Sequence, residues 1–434
     1  MKNIVLKNAI IVDPSQKINS KGSIVIKDKI ICDLILNKDI SFDKNNYHII
    51  DCKNLMLCPG FVDIKCHLRV PGEEHKENLS YASQSAASAG ITSLVCMPNT
   101  DPIIDNVSMV ELVQRKVRKE SDVKIFSTAS ITKQLKGKEL TEFGLLKEAG
   151  AVGLTDAIKA VDDATVMMRA LKYASAFDML LMQHPEERSL SQSGSMNSGA
   201  LSTKLGIKGI PEEAEVIQVD RDLRLAEMTN GRIHFFNITT SLALNSITIA
   251  KKRGVKVTCS TSPHYFNLCE EDIKKWRTYA KVSPPLRNIK NMNAIKTAIS
   301  NNEIDCITSD HSPHDTDSKR LPFEQASSGV IGFESLLPLT LKLINDKKLS
   351  NKKLVELLSL HPSKILKLNS GTLKKKRPAD IVLIDINKKI KLSSSLIKSK
   401  SNNFPYENIS GQGKIMLTIV DGKIVFNDRS FNIK

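Results

Sequence analysis

The chain has 434 residues, a 41% hydrophobic content and a formal net charge of +16, which suits one large soluble-type domain with a smaller companion. No apolar run reaches the roughly 18 residues of a membrane span, and the first residues lack a signal-peptide core, so a cytoplasmic protein with no membrane contact is expected. The lysines are dispersed and no nucleic-acid motif is present, which excludes nucleic acid as the expected partner and leaves a solvated surface, an acidic protein or an anionic small molecule to account for the charge.

Residues 1–55 read as short strands and turns, at 3–12, 23–27, 29–32 and 47–52, rich in β-branched side chains. From residue 57 a strand followed by a helix-length segment recurs about eight times. The strands fall at 60–66, 92–97, 123–127, 151–155, 179–183, 233–238, 255–260 and 304–309. Amphipathic helices are expected at 81–89, 108–120, 163–176 and 212–228. Such alternation implies parallel strands with helical crossovers, and eight units over about 300 residues fit a (β/α)₈ barrel. A doubly wound open sheet is the alternative, but no Gly-rich phosphate loop follows any strand. The segment 189–202, rich in Ser, Gly and Asn, reads as a loop at the barrel mouth. Short strands return at 379–385 and 414–426, the second broken by the hairpin signal Asp421-Gly422. The two chain ends are therefore expected to form one β unit, 1–55 with 369–434, around a barrel of 56–368. The eight cysteines form no Cys-x-x-Cys pair and read as reduced, mostly buried thiols.

The first barrel strand ends in polar, chemically capable side chains, Lys65, His67 and Arg69, where a barrel carries its function. The run His67-Leu68-Arg69-Val70-Pro71-Gly72-Glu73-Glu74-His75-Lys76-Glu77 strongly resembles dihydroorotase. So do Cys96-Met97-Pro98-Asn99-Thr100-Asp101-Pro102, Met196-Asn197-Ser198-Gly199, Gly209-Ile210-Pro211-Glu212-Glu213-Ala214-Glu215, Lys281-Val282-Ser283-Pro284-Pro285-Leu286-Arg287 and Ser309-Asp310-His311-Ser312-Pro313-His314. The tail Arg377-Pro378-Ala379-Asp380-Ile381-Val382 fits as well. The resemblance covers nearly the whole chain and is of the long, class I type. Hydantoinases and allantoinases share the fold but match these stretches less well. It implies a TIM barrel of the amidohydrolase type with a small β-sandwich domain built from both chain ends. It also implies interconversion of carbamoyl aspartate and dihydroorotate in pyrimidine synthesis, at a metal centre that is usually zinc.

The resemblance assigns six metal-ligand positions, and three carry other residues here. The first strand should supply two histidines and supplies Lys65 and His67. An ammonium has no lone pair to give a metal. At the fourth strand the ligand position aligns with Ala157, and a slip of one residue would make it Asp156. His184 stands at the fifth strand, Asn237 replaces a histidine at the sixth, and Asp310 is kept at the eighth, where the family moves its proton. Arg69, Asn99 and His314 match the positions that hold the substrate carboxylate, whereas Ser283 replaces an asparagine. Two bland readings stand beside these: Asp310 paired with Lys65, and Arg69 paired with a local carboxylate. His264 and His75 match further family histidines; His48, His311 and His361 read as surface or packing residues.

Three readings follow. The first is a non-catalytic dihydroorotase homologue, with no cofactor expected, that partners aspartate transcarbamoylase, as the family resemblance implies for such chains. The second is an active dihydroorotase with a reduced or single-metal zinc site. The third is a metal-free ring hydrolase using Lys65 and Asp310, which lacks an electrophile for the developing oxyanion. Self-assembly into a homo-oligomer is left open by the sequence.

Overall fold

The computed structural model describes residues 3–38, 41–43, 45–345 and 349–433. Parallel strands form the barrel wall in two arcs: Phe61–Cys66, Ile91–Cys96 and Lys124–Ser127, then Leu180–Gln183, Arg232–Phe235, Val257–Thr261 and Cys306–Ile307. Single bridges close it. Leu154 pairs with Ala129 on one side and Leu181 on the other, and Cys66 pairs with His311. The wall is therefore an eight-membered (β/α)₈ barrel.

The fourth member is the one that departs from the strand expected at 151–155. Only Leu154 carries bridges there. Gly150 turns the chain with a φ of +103° immediately before the segment, and a Cβ on Gly153 would meet the Met182 side chain at 2.7 Å. The segment still hydrogen-bonds to both neighbours, Val152 N to Ser127 O and Leu154 N to Leu180 O, so Gly153 marks an irregularity in a paired segment. The segment 189–202 also differs from its expected loop. It holds the short helices Arg188–Ser191 and Ala200–Leu205 and a two-residue strand, Met196–Asn197, paired with Gly209–Ile210. Buried Met196 and Leu201 anchor it against Tyr265 and Val282, which its polar composition concealed.

The expected helices are observed as Leu79–Ser88, Val107–Glu120, Ala164–Ala176 and Glu213–Thr229. Asn78, Asn106 and Asp163 cap the first three by accepting backbone N–H groups of the opening turn. Their apolar faces pack on the outside of the wall, as Ala82, Val113 and Leu171 do.

Both chain ends join one sheet, in which Met56–Pro59 pairs with Asn3–Asp13 on one side and Ile381–Lys391 on the other. Strands from opposite ends of this sheet enclose one core, with Ile24 and Ile31 beside Leu417 and Ile419, so the sheet curls on itself as a sandwich does. Asp421 and Gly422 have φ of 46° and 73°, the left-handed pair that a two-residue hairpin requires. No described helix is long and apolar enough to cross a membrane.

Candidate active site at the barrel mouth

An irregularity in the first strand sets the site. Its pairing with the second strand shifts register between Asp63 and Cys66. A bulge breaks the two-residue alternation and re-aims a side chain. Ile64 joins the apolar cluster of the interior, and the next residue, Lys65, also turns inward, its Nζ 5.4 Å from the Phe236 ring of the same cluster. Asp63 holds the distortion by accepting from Lys65 N at 3.2 Å and from both the backbone N and the hydroxyl of Ser309. Its burial lifts its pKa to about 6.

The pairing of Lys65 with Asp310 is present. Lys65 Nζ lies 2.9 Å from Asp310 Oδ1, with side-chain exposures of 2% and 8%. Asn237 Nδ2 donates to the other oxygen at 2.8 Å, and His264 Nε2 stands 3.4 Å from it. Ser262 in turn donates to Asn237 Oδ1 at 2.9 Å, which orients the amide. Burial acts to raise the Asp310 pKa, but the Lys65 ammonium, helped by His264, overrides it and holds the carboxyl well below its usual range. His67 sits beside this pair and donates from Nδ1 to Asn99 Oδ1 at 2.9 Å. Burial, then Arg69 and Lys65, push its pKa down to about 3, so its ring is neutral at pH 7.

Ala157 and Asp156 are told apart by their surroundings. Asp156 accepts from Ile131 N at 2.9 Å, from Thr132 N at 3.0 Å and from the Thr132 hydroxyl, so its oxygens serve a turn outside the site. Ala157 packs with Ile64, Met182 and Phe236 in the barrel interior. Its φ is +59°, close to the +50° of Asn237 and the +52° of Asp310. Three strand ends thus share left-handed backbone, which Asn and Asp adopt far more readily than alanine. Replacing Asp156 by alanine is expected to cost about 2–4 kcal/mol in urea unfolding, because two buried N–H groups lose their acceptor. A change within about 0.5 kcal/mol would contradict this structural role.

The three residues matched to a carboxylate site do not act alone. Arg69 spends its guanidinium on Pro313 O at 3.0 Å, Ser312 Oγ at 2.9 Å and the local carboxylate of Glu73 at 3.0 Å. His314 Nε2 lies 3.0 Å from both Arg69 Nη2 and the Ser328 carbonyl. One is a donor only and the other an acceptor only, so this nitrogen serves one of them at a time. Burial, with Arg69 and Lys319, drives the His314 pKa to about 2. Asn99 is engaged by His67. His184 Nε2 lies 3.1 Å from Ser283 Oγ. His75 is a surface residue 3.8 Å from Asp315.

Residues outside the sequence reading complete the mouth. Asn403 donates to Ser312 O and Gly329 O and accepts from His314 N, joining the last strand's loop to the backbone at Gly329. Lys319 is buried and donates to Thr278 O at 2.9 Å and Ser327 O at 2.7 Å. Burial first, then Lys281 and Arg69, lower its pKa to about 7. Glu73 had a visible signal, four residues after Arg69; Asn403 had none. Among the described residues no three His, Cys, Asp or Glu side chains stand together as a metal-holding group.

A sequence model described as Dihydro-orotase-like matches residues 54–242. A dihydroorotase of Acetivibrio thermocellus is 41% identical over 427 residues, covering 98% of this chain and 99% of that one. A dihydroorotase of Geotalea daltonii is 41% identical over 423 residues, with the same coverage. Among solved structures, an L-hydantoinase (dihydropyrimidinase) of Arthrobacter aurescens superposes with a TM-score of 0.87 at 22% identity, covering 98% of this chain and 96% of that one. That last likeness concerns the fold. By sequence, over 98% of its length, this chain belongs to the dihydroorotase family.

Proposed function

We propose that this protein is a dihydroorotase-family member that has given up hydrolysis and serves, in the cytoplasm, as a partner of aspartate transcarbamoylase in pyrimidine synthesis. The observation that carries the reading is the buried Lys65–Asp310 pair at 2.9 Å. The family usually uses zinc, and the residues present do not fit that ion. Lys65 has no lone pair to give and brings a positive charge to a cation's place. Both Asp310 oxygens face other partners, and Asn237 turns its amide N–H, not its oxygen, toward that carboxylate. Ala157 supplies no donor. An Asp310 held well below the ordinary carboxylate range is also a poor base for the proton transfer that the family assigns to its position.

The alternative is an active dihydroorotase with a single metal. Its support is the full-length similarity to chains that bear that name, and the retention of His67, His184 and Asp310. Three protein ligands suffice for a catalytic zinc. The test is metal analysis and a dihydroorotate hydrolysis assay on the protein as isolated. Well under one equivalent of zinc and no turnover are expected. Stoichiometric metal with turnover replaces the first reading by the second. The partner role is tested separately by size-exclusion chromatography with aspartate transcarbamoylase from the same source. A shared peak is expected, and independent elution overturns the scaffold assignment.

A further inference from the structure

A cleft of about 480 Å³ opens at the barrel mouth on the side away from Arg69 and His314, between the loops that follow the third, fourth and fifth strands. Its lining includes the buried His184 and the half-buried Glu186, and its rim carries Lys136, Lys138, Lys159 and Arg188. The volume falls within the range of small-molecule sites, roughly 300–1,000 Å³.

Rim and depth differ in chemistry. Arg188 lies 3.8 Å from Asp162, an exposed and weak pair. Lys136, Lys138 and Lys159 have no ion pair within 4.0 Å among the described residues. Counting Asp162 and Glu186 against the four cations, the lining keeps an excess of two positive charges. In the depth, His184 Nδ1 and Glu186 Oε2 are buried and have no hydrogen-bond partner. His184 Nε2 and Glu186 Oε2 are 3.9 Å apart, too far to satisfy each other. Buried polar atoms of this kind ordinarily find a partner.

We propose that this cleft binds a small phosphate ester, with its phosphate among the rim lysines and a hydroxyl- or amide-bearing body against His184 and Glu186. Lysine ammonium groups are point charges suited to phosphate oxygens, whereas planar carboxylates are the preferred match for a free arginine fork. Glu186 repels an anion in the depth, so the charged end must lie outward. Its free oxygen calls for a donor, which a sugar hydroxyl or a base amide supplies. The site requires no metal, and it rests on the first reading of the function, because a zinc held by His184 would occupy that side chain.

The test is isothermal titration of the full chain with inorganic phosphate, ribose 5-phosphate and adenosine 5′-monophosphate at low salt. At least one ester is expected to bind tenfold or more tighter than inorganic phosphate. Equal strength for the two esters identifies a sugar phosphate, and a preference for the monophosphate identifies a nucleotide. The triple variant Lys136→Glu, Lys138→Glu, Lys159→Glu, all at exposed positions, should weaken every probe at least tenfold without changing the melting temperature by more than a few degrees. His184→Gln should reduce the preference for the ester and leave inorganic phosphate binding unchanged. No ester binding, ester binding no tighter than inorganic phosphate, or binding indifferent to the lysine reversals overturns the proposal.

Discussion

Lys65→Met is expected to destabilise the protein by about 3–5 kcal/mol, because it leaves the buried Asp310 carboxylate without its counter-charge. Asn237 and His264 remain beside Asp310, but neither carries a fixed positive charge, and burial depresses the His264 pKa. A buried pair is costly to break and cheap to remove whole. The double variant Lys65→Met, Asp310→Leu should therefore recover most of the loss, to within about 1 kcal/mol of the starting protein. Additive losses in the two single variants would show that the residues are not coupled. The pH dependence follows from the depressed Asp310 pKa. A carboxyl lowered on folding adds stability that is complete above its unfolded value, near 3.9, and is lost as the pH falls through the folded value. The wild-type contribution should therefore stay constant from pH 8 to about 5, whereas in Lys65→Met burial pushes the unpaired Asp310 carboxyl up, so the gap measured by urea unfolding should be largest at pH 8 and narrow as the pH falls and the variant's Asp310 takes up a proton. A gap that does not change between pH 8 and 5 would mean that Asp310 stays ionised without Lys65.

Supplying ligand-type side chains at the three positions where the resemblance implies them, as Lys65→His, Ala157→Asp and Asn237→His, is expected to raise zinc content from well under one equivalent to one or more. Each change returns a donor atom, and removal of the ammonium frees an Asp310 oxygen. The backbone is already suited to the change. Ala157 sits at φ +59° and Asn237 at φ +50°, where aspartate and histidine are among the better tolerated residues. Metal analysis after exhaustive dialysis reads the result. A folded triple variant that stays metal-free would argue that Ala157 is not the lost ligand position, or that the surrounding shell no longer orients the histidines.

Much of the barrel was legible because its signal is local. Seven of the eight expected strands are short runs rich in apolar residues, and the structure pairs each over part of its expected length, the last over Cys306–Ile307 alone. Leu154 shows the limit, since its neighbours are shaped by the close approach of Met182, which no window of sequence contains. The candidate site was legible where residue chemistry alone was decisive. A lysine where the resemblance implies a histidine is visible without coordinates. The partner of that lysine is 245 residues away, and its distance depends on the bulge that turns Lys65 inward and on the Cys66–His311 bridge that closes the wall. The cleft was wholly hidden, because its lysines lie on separate loops of a chain with 63 lysines and arginines.

The sequence by itself therefore determined the barrel, the family and the identity of each side chain at the positions that the resemblance assigns to metal ligands. These follow from periodicity and atom type, which belong to the chain before it folds. Only the tertiary structure decided that Lys65 is spent on Asp310, that Asp156 serves a turn while Ala157 lines the interior, that Glu73 answers Arg69, and that His184 looks into a basic cleft. Those are questions of which polar group satisfies which, and in a closed barrel that is settled by distances between segments that the chain order keeps far apart.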